Sequence, residues 1–255
     1  MLTRLRKTRQ RLLGERRFSN YLLYALGEIV LVVVGILIAV AINNHYQDKA
    51  TQAKARVYLT GLKTEFLDNQ HKLAVLIDVN KSNLSYARDL IELINNRSQQ
   101  IDETRFSRLL MKALNNDVAY NPNNSLLTEM INSGSLKDIE SVQLRRLFTN
   151  WLANVDDIAK QEHDLSIQRE HLIDFFRGPD TSFKTVLQNA GAMPANDETS
   201  NLSEKSNLHL LESRAFENNL LMFILTCEAT DENHYQPLMD NLNTILGLID
   251  EVLDH

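Results

Sequence analysis

Apolar positions along the chain fall into two regimes. From Tyr21 to Ile42 they are almost continuous (YLLYALGEIVLVVVGILIAVAI), with Glu28 as the only charge. From residue 44 onward they recur at intervals of three, four and seven, the spacing of one helix face. Leu59, Leu62, Phe66, Leu73, Ile77, Leu84, Ala87, Ile91 and Ile94 trace the first such stripe, interrupted at Asn69 and Asn80. No proline stands between Tyr46 and Asn95, so the helix of the apolar run is expected to continue unbroken, about 70 Å past that run. Thr104 to Leu114 reads as a short helix with Phe106, Leu109, Leu110 and Ala113 inward, and Asn115 to Asn124, with Pro122, as a turn-rich loop. Ser125 is expected to cap a second short helix through Ile131, ended by Gly134.

Ser141 is the expected N-cap of a long helix from Val142 to Phe176, closed by Gly178-Pro179. Leu144, Phe148, Trp151, Val155, Ile158, Leu165, Leu172 and Phe176 form its seam, which skips only through Glu162 and Arg169. Such seam polar residues either bind a ligand inside a bundle or, more often, pair with neighbours or lie where the seam reaches solvent. Residues 177–206 read as a long irregular connection. Helix returns from Leu208 to Asp231 and from Pro237 to Leu253, with Pro237 expected to kink or divide it. Three long stripes and a pair of short helices close most simply as an antiparallel bundle. The fold expected is therefore all-α: an N-terminal transmembrane helix followed by an elongated antiparallel, four-helix-like bundle. The corresponding partition is a leader over 1–20, a transmembrane helix over 21–43 and a helical domain over 44–255.

The apolar run is about 21 residues, or roughly 30 Å as a helix, the thickness of a hydrocarbon core. Ala39-Val40-Ala41 has the small-x-small form of a signal-peptide cleavage site, but the length favours an uncleaved anchor. Fourteen Leu, Ile or Val residues lie between Leu22 and Ile42. At roughly −0.3 to −0.6 kcal/mol each they outweigh one carboxyl costing at most about +3 kcal/mol. Charge gives the run a direction. Residues 1–20 carry Arg4, Arg6, Lys7, Arg9, Arg11, Arg16 and Arg17 against Glu15 alone, a net of +6, which leaves −12 for the remainder of a chain whose net is −6. That asymmetry predicts a cytoplasmic N-terminus in contact with anionic lipid and an exported, periplasmic domain in the inner membrane of a bacterium with two membranes. The acidic remainder argues against nucleic acid as a partner.

On a helix, Tyr24, Glu28, Gly35 and Ala39 fall within about 40° of one line. Gly35 and Ala39 form a small-xxx-small pair that lets another helix approach, so the carboxyl is expected to face that helix: a second copy of the chain or another membrane protein. A structural role, with Glu28 protonated and hydrogen-bonded across the pair or snorkelling to the nearer cytoplasmic interface, is expected ahead of a proton or ion relay or a charge pair with a cationic partner in the membrane, because no second titratable group stands in the span.

The run RFSNYLLYALGEIVLVVVGILIAVAINN resembles the hallmark of a family of membrane proteins of unknown function from Bacteroidetes-type bacteria. The likeness is carried by Gly27, Glu28, Gly35 and Asn43, with a second patch at Asn124-Ser125 through Ser133-Gly134 and from Leu136 to Ile139. His45-Tyr46 departs from the Trp-Asn pair usual there. The resemblance implies an anchored, single-pass helical protein and no established activity.

Eight Gly and four Pro in 255 residues fit long helices with few tight turns. Cys227 is the sole cysteine, so no intrachain disulfide forms. No glycine-rich phosphate loop, His-Glu-x-x-His, cysteine pair or Gly-x-Ser-x-Gly is present. His163 and His171 stand two turns apart, too far for one metal site. Neither an enzyme nor a cofactor is expected. The function expected is interaction and assembly through the exported bundle. The alternatives are a ligand-binding or sensory bundle working through a membrane partner, and an ion-coupled accessory subunit using Glu28.

Overall fold

The computed structural model describes residues 16–96, 101–194 and 205–254, less the side chains of 16–21 and of Tyr24. Arg4, Arg6, Lys7, Arg9 and Arg11 therefore lie outside the described residues, as do the side chains of Arg16, Arg17 and Tyr24. Among the described residues every regular element is helical, as the apolar periodicity requires. The first helix, α1, runs unbroken over Arg16–Asn95. The chain divides into two units, Met1–Arg56 and Val57–His255.

In the first unit the fourteen Leu, Ile and Val side chains from Leu22 to Ile42 each stand between 47% and 75% exposed. This stretch makes α1 the one described helix long and apolar enough to cross a membrane.

The second unit is built on four antiparallel walls. Residues 57–95 of α1 rise along one. Helix α4 (Val142–Asp174) rises along another, its Phe148 and Trp151 rings 5.5 and 5.0 Å from Phe66. Helices α6 (Arg214–Thr230) and α7 (Gln236–Asp254) descend along a third. Ladder contacts fix the direction: Lys63 pairs with Asp250, Gln70 with Asn243, Lys81 with Asp231 and Arg88 with Glu228, numbers rising on one side as they fall on the other.

The fourth wall is not one helix. Helix α2 (Glu103–Leu114) descends beside α1, the chain then runs non-helically over 115–124, and α3 (Ser125–Asn132) completes the descent. Its partners along α1 keep antiparallel order: Lys112 over the Tyr86 ring, Asn116 with Asn83, Asn121 with Lys72, Asn123 with Asn69, Leu126 with Glu65 and Glu129 with Tyr58.

Several boundaries follow sequence signals. Asp102 caps α2 and Ser141 caps α4, each accepting an N–H three residues on. Gly134 takes φ 70°, the left-handed turn that ends α3 and opens the 3-10 turn Ser135–Asp138. Others differ. Ser125 is not the cap of α3: Asn124 holds that position without a side-chain cap bond, and the Glu65 carboxylate of α1 accepts the Leu126 and Leu127 N–H groups instead. The connection over 177–206 is not wholly irregular, because α5 (Phe183–Asn189) forms in it and packs on α2. Seven residues hold too few apolar periods to announce that helix. The helix expected from Leu208 begins as a 3-10 turn, Leu208–Glu212, and α6 starts behind its Ser213 cap. At Pro237 the division takes the form of a π-turn, Asp231–Tyr235, between α6 and α7. Proline has no N–H to give and its ring crowds the carbonyl four residues back, so the widened turn absorbs the mismatch.

Candidate functional site

Two places concentrate chemistry. The first is the exposed stripe in the apolar part of α1. Glu28 is exposed, and a Cβ placed on Gly27 or Gly35 would meet nothing within 4 Å. Ala25, Glu28, Ile29, Val32 and Val33 border one shallow hollow, so the carboxyl sits in an apolar surround. Ala39 is exposed as well.

The second is the non-helical wall of the bundle. A segment of ten residues inside a bundle has no ladder of its own, and backbone groups it buries must find partners elsewhere. Side chains of the other walls supply them. Asn69 donates from Nδ2 to the Asn123 carbonyl and accepts the Asn123 N–H at Oδ1, both at 2.7 Å. Asn83 donates to the Asn116 carbonyl (3.2 Å), Lys72 to that of Asn121 (3.1 Å) and Arg169 Nε to that of Leu114 (2.7 Å). Trp151 Nε1 donates to Asn124 Oδ1 at 2.7 Å. Asn80 serves a different element, donating to the Cys227 carbonyl just before the π-turn. Neither Asn69 nor Asn80 interrupts α1; both are buried within it.

Glu162 is the centre of this arrangement. Its carboxylate is 7% exposed and accepts the Tyr120 N–H at 2.8 and 2.9 Å with its two oxygens, and the Tyr235 hydroxyl at 2.5 Å. It thereby joins α4, the non-helical segment and the π-turn. Tyr120 in turn donates its own hydroxyl to the Asn69 carbonyl (3.1 Å). Burial pushes Glu162 above the ordinary carboxylate range, the bonds from Tyr235 and Tyr120 pull it down, and the Asp117 charge adds to the rise. Burial, with the Glu162 charge, pushes the phenols of Tyr120 and Tyr235 up, so both stay neutral donors. The seam polar residues thus do pair with neighbours, but the neighbours are backbone and phenol groups of distant elements. The signal available in the sequence was their place on an apolar seam; nothing local named the partner.

A family model described as a family of unknown function (DUF6090) matches residues 28–156, just over half of the chain. The chain belongs to this family. The stretch matched by the family takes in Glu28, Gly35, Ala39, Glu65, Asn69, Tyr120 and Trp151, while Glu162, Arg169 and Tyr235 lie beyond it. No curated protein and no solved structure matches the chain.

A hollow of about 420 Å³ opens beside α2, lined by Ser82, Tyr86, Lys112, Asn115, Asn116 and the turn at Gly191. Among the described residues no three His, Cys, Asp or Glu side chains gather as a metal site would need. His163 and His171 are exposed.

Proposed function

We propose that the protein is a single-pass inner-membrane protein of the Bacteroidetes-type family named above, with a cytoplasmic N-terminus. Its periplasmic helical bundle mediates protein interaction and assembly without catalysis. The observation that carries this reading is the fourteen Leu, Ile and Val side chains between Leu22 and Ile42 that stand unpacked. Half-exposed aliphatics on that scale forgo on the order of 20 kcal/mol of burial in water, which a lipid core supplies. The basic leader sets the direction. Partner contact falls to the Tyr24, Glu28, Gly35 and Ala39 face, where the Glu28 carboxyl gains a hydrogen bond across a helix pair.

One labelling series and one crosslinking series test it. Val142 is exposed and Cys227 is buried, so Val142→Cys supplies an accessible thiol on the bundle. A membrane-impermeant maleimide should label it in intact spheroplasts; labelling only after lysis overturns the topology. Crosslinking of the full chain in membranes should trap an oligomer or a defined heteromer that Gly35→Leu abolishes. Monomer alone, or indifference to Gly35→Leu, removes the helix face.

The hollow beside α2 favours a second reading, a ligand-binding sensory bundle that signals through a membrane partner, since its volume is in the range small ligands occupy. Stabilisation of the full chain by a small molecule, lost on Lys112→Ala, is the result that would favour it.

A further inference from the structure

Glu162 is buried among groups that leave it without a counter-charge. The non-helical segment presents Tyr120 and Asp117; the π-turn presents Tyr235, itself acted on by Asp231 of the same turn and by the Cys227 thiol of α6; α1 contributes the neutral Asn69 through Tyr120. Of the charged groups on these elements Asp117 acts on Glu162 through space, and it has the same sign. No ion pair reaches Glu162 among the described residues. The segment covering this carboxyl is held by side chains of other walls and by its own buried Val118 and Tyr120, so it opens by giving up side-chain contacts and not helical backbone bonds. When it lifts, water reaches Glu162 and the carboxyl returns to ordinary behaviour.

We propose that closing of segment 115–124 over Glu162 takes up one proton at that carboxyl, so that the segment is held more firmly in mildly acidic than in neutral medium. The proton comes from solvent. It goes on the carboxyl oxygen that does not accept from Tyr235, so the other oxygen keeps both the Tyr235 hydroxyl and the Tyr120 N–H. The direction follows from linkage. A carboxyl whose affinity for protons is higher closed than open binds more protons closed, within the window between its ordinary and its raised values; closure therefore strengthens as pH falls through that window and weakens as pH rises through it. The bundle thus carries a pH-responsive element at its non-helical wall, independent of where the protein resides.

The test uses the full chain in detergent micelles, isotope-labelled, between about pH 4 and about pH 8. Amide exchange at Tyr120, corrected for intrinsic rate, should show protection falling as pH rises, by at most about tenfold per pH unit for one proton. The side-chain carboxyl resonance of Glu162 should titrate above the ordinary glutamate range. Glu162→Gln, which keeps one acceptor and cannot ionise, should remove the pH dependence of Tyr120 protection. Should that variant fail to fold, the wild-type carboxyl titration decides alone. A Glu162 midpoint at or below the ordinary value, protection that is flat or rises with pH, or an unchanged slope in Glu162→Gln overturns the proposal.

Discussion

Tyr235→Phe removes one oxygen from the interior and changes little else. The ring is fully buried and the substitution preserves its volume, so packing stays and the cost isolates the 2.5 Å bond from the hydroxyl to Glu162. A hydrogen bond to a charged group contributes about 1.5–3 kcal/mol, one between neutral groups about 0.5–1.5 kcal/mol. Glu162 is ionised above its raised window, so the loss should be about 2 kcal/mol there and about 1 kcal/mol below the window, where the carboxyl is neutral. For a unit of about 200 residues these values shift the melting temperature by about 4–8 °C and about 2–4 °C.

Trp151 offers the assay. It is the only tryptophan, fully buried, 5.0 Å from Phe66 and bonded to Asn124 of the segment, so its fluorescence reports the bundle core and the wall together. Melting of wild type and Tyr235→Phe is compared above and below the window, with Glu162→Gln closing a double-mutant cycle. A shift under about 1 °C at both pH values, or a larger shift in acid, refutes the assignment of Glu162 as the ionised acceptor.

Gly61 lies where α3 meets α1: a Cβ there would stand 2.5 Å from Leu126 Cδ2. Gly61→Ala gains about 1 kcal/mol of helix propensity against displacement of a flexible, half-buried leucine, so its urea midpoint should move little, whereas Gly61→Leu should lose about 2 kcal/mol or more. The Cys227 thiol is buried and pushed up to about 12, chiefly by burial, so mass spectrometry should find it unalkylated by iodoacetamide at neutral pH until the bundle is denatured.

The long elements were legible because each repeats one face many times. Leu144, Phe148, Trp151, Ile158, Leu165 and Leu172 fall on a single side of α4 and are all buried, and Ser141 marks the start of α4, as Gly134 marks the end of the short α3, by chemistry that acts within three or four residues. What stayed illegible acts at long range. Asn69 and Asn123 are 54 positions apart, Glu162 and Tyr235 73, and no local pattern couples them. The fourth wall is the clearest instance. Periodicity counts α2 and α3 as two short helices and 115–124 as a loop, and only the contacts of Asn69, Asn83, Lys72 and Glu65 reveal the three as one continuous side of the bundle.

A helix keeps its backbone bonds within itself and loses them cooperatively. Segment 115–124 distributes its bonds over Asn69, Asn83 and Lys72 of α1 and Glu162 of α4, while Arg169 of α4 holds the carbonyl of Leu114 just before it; each of these can be given up singly. At about 1 kcal/mol net per bond these contacts hold the segment by several kcal/mol, to which the buried Val118 and Tyr120 side chains add about 1.5–3 kcal/mol each. The polar residues that spoil the apolar seams are thus the condition for a wall that carries no backbone ladder of its own. Replacing them with leucine would leave the segment's carbonyls and N–H groups without partners in the core, and the fourth wall would come away from the other three.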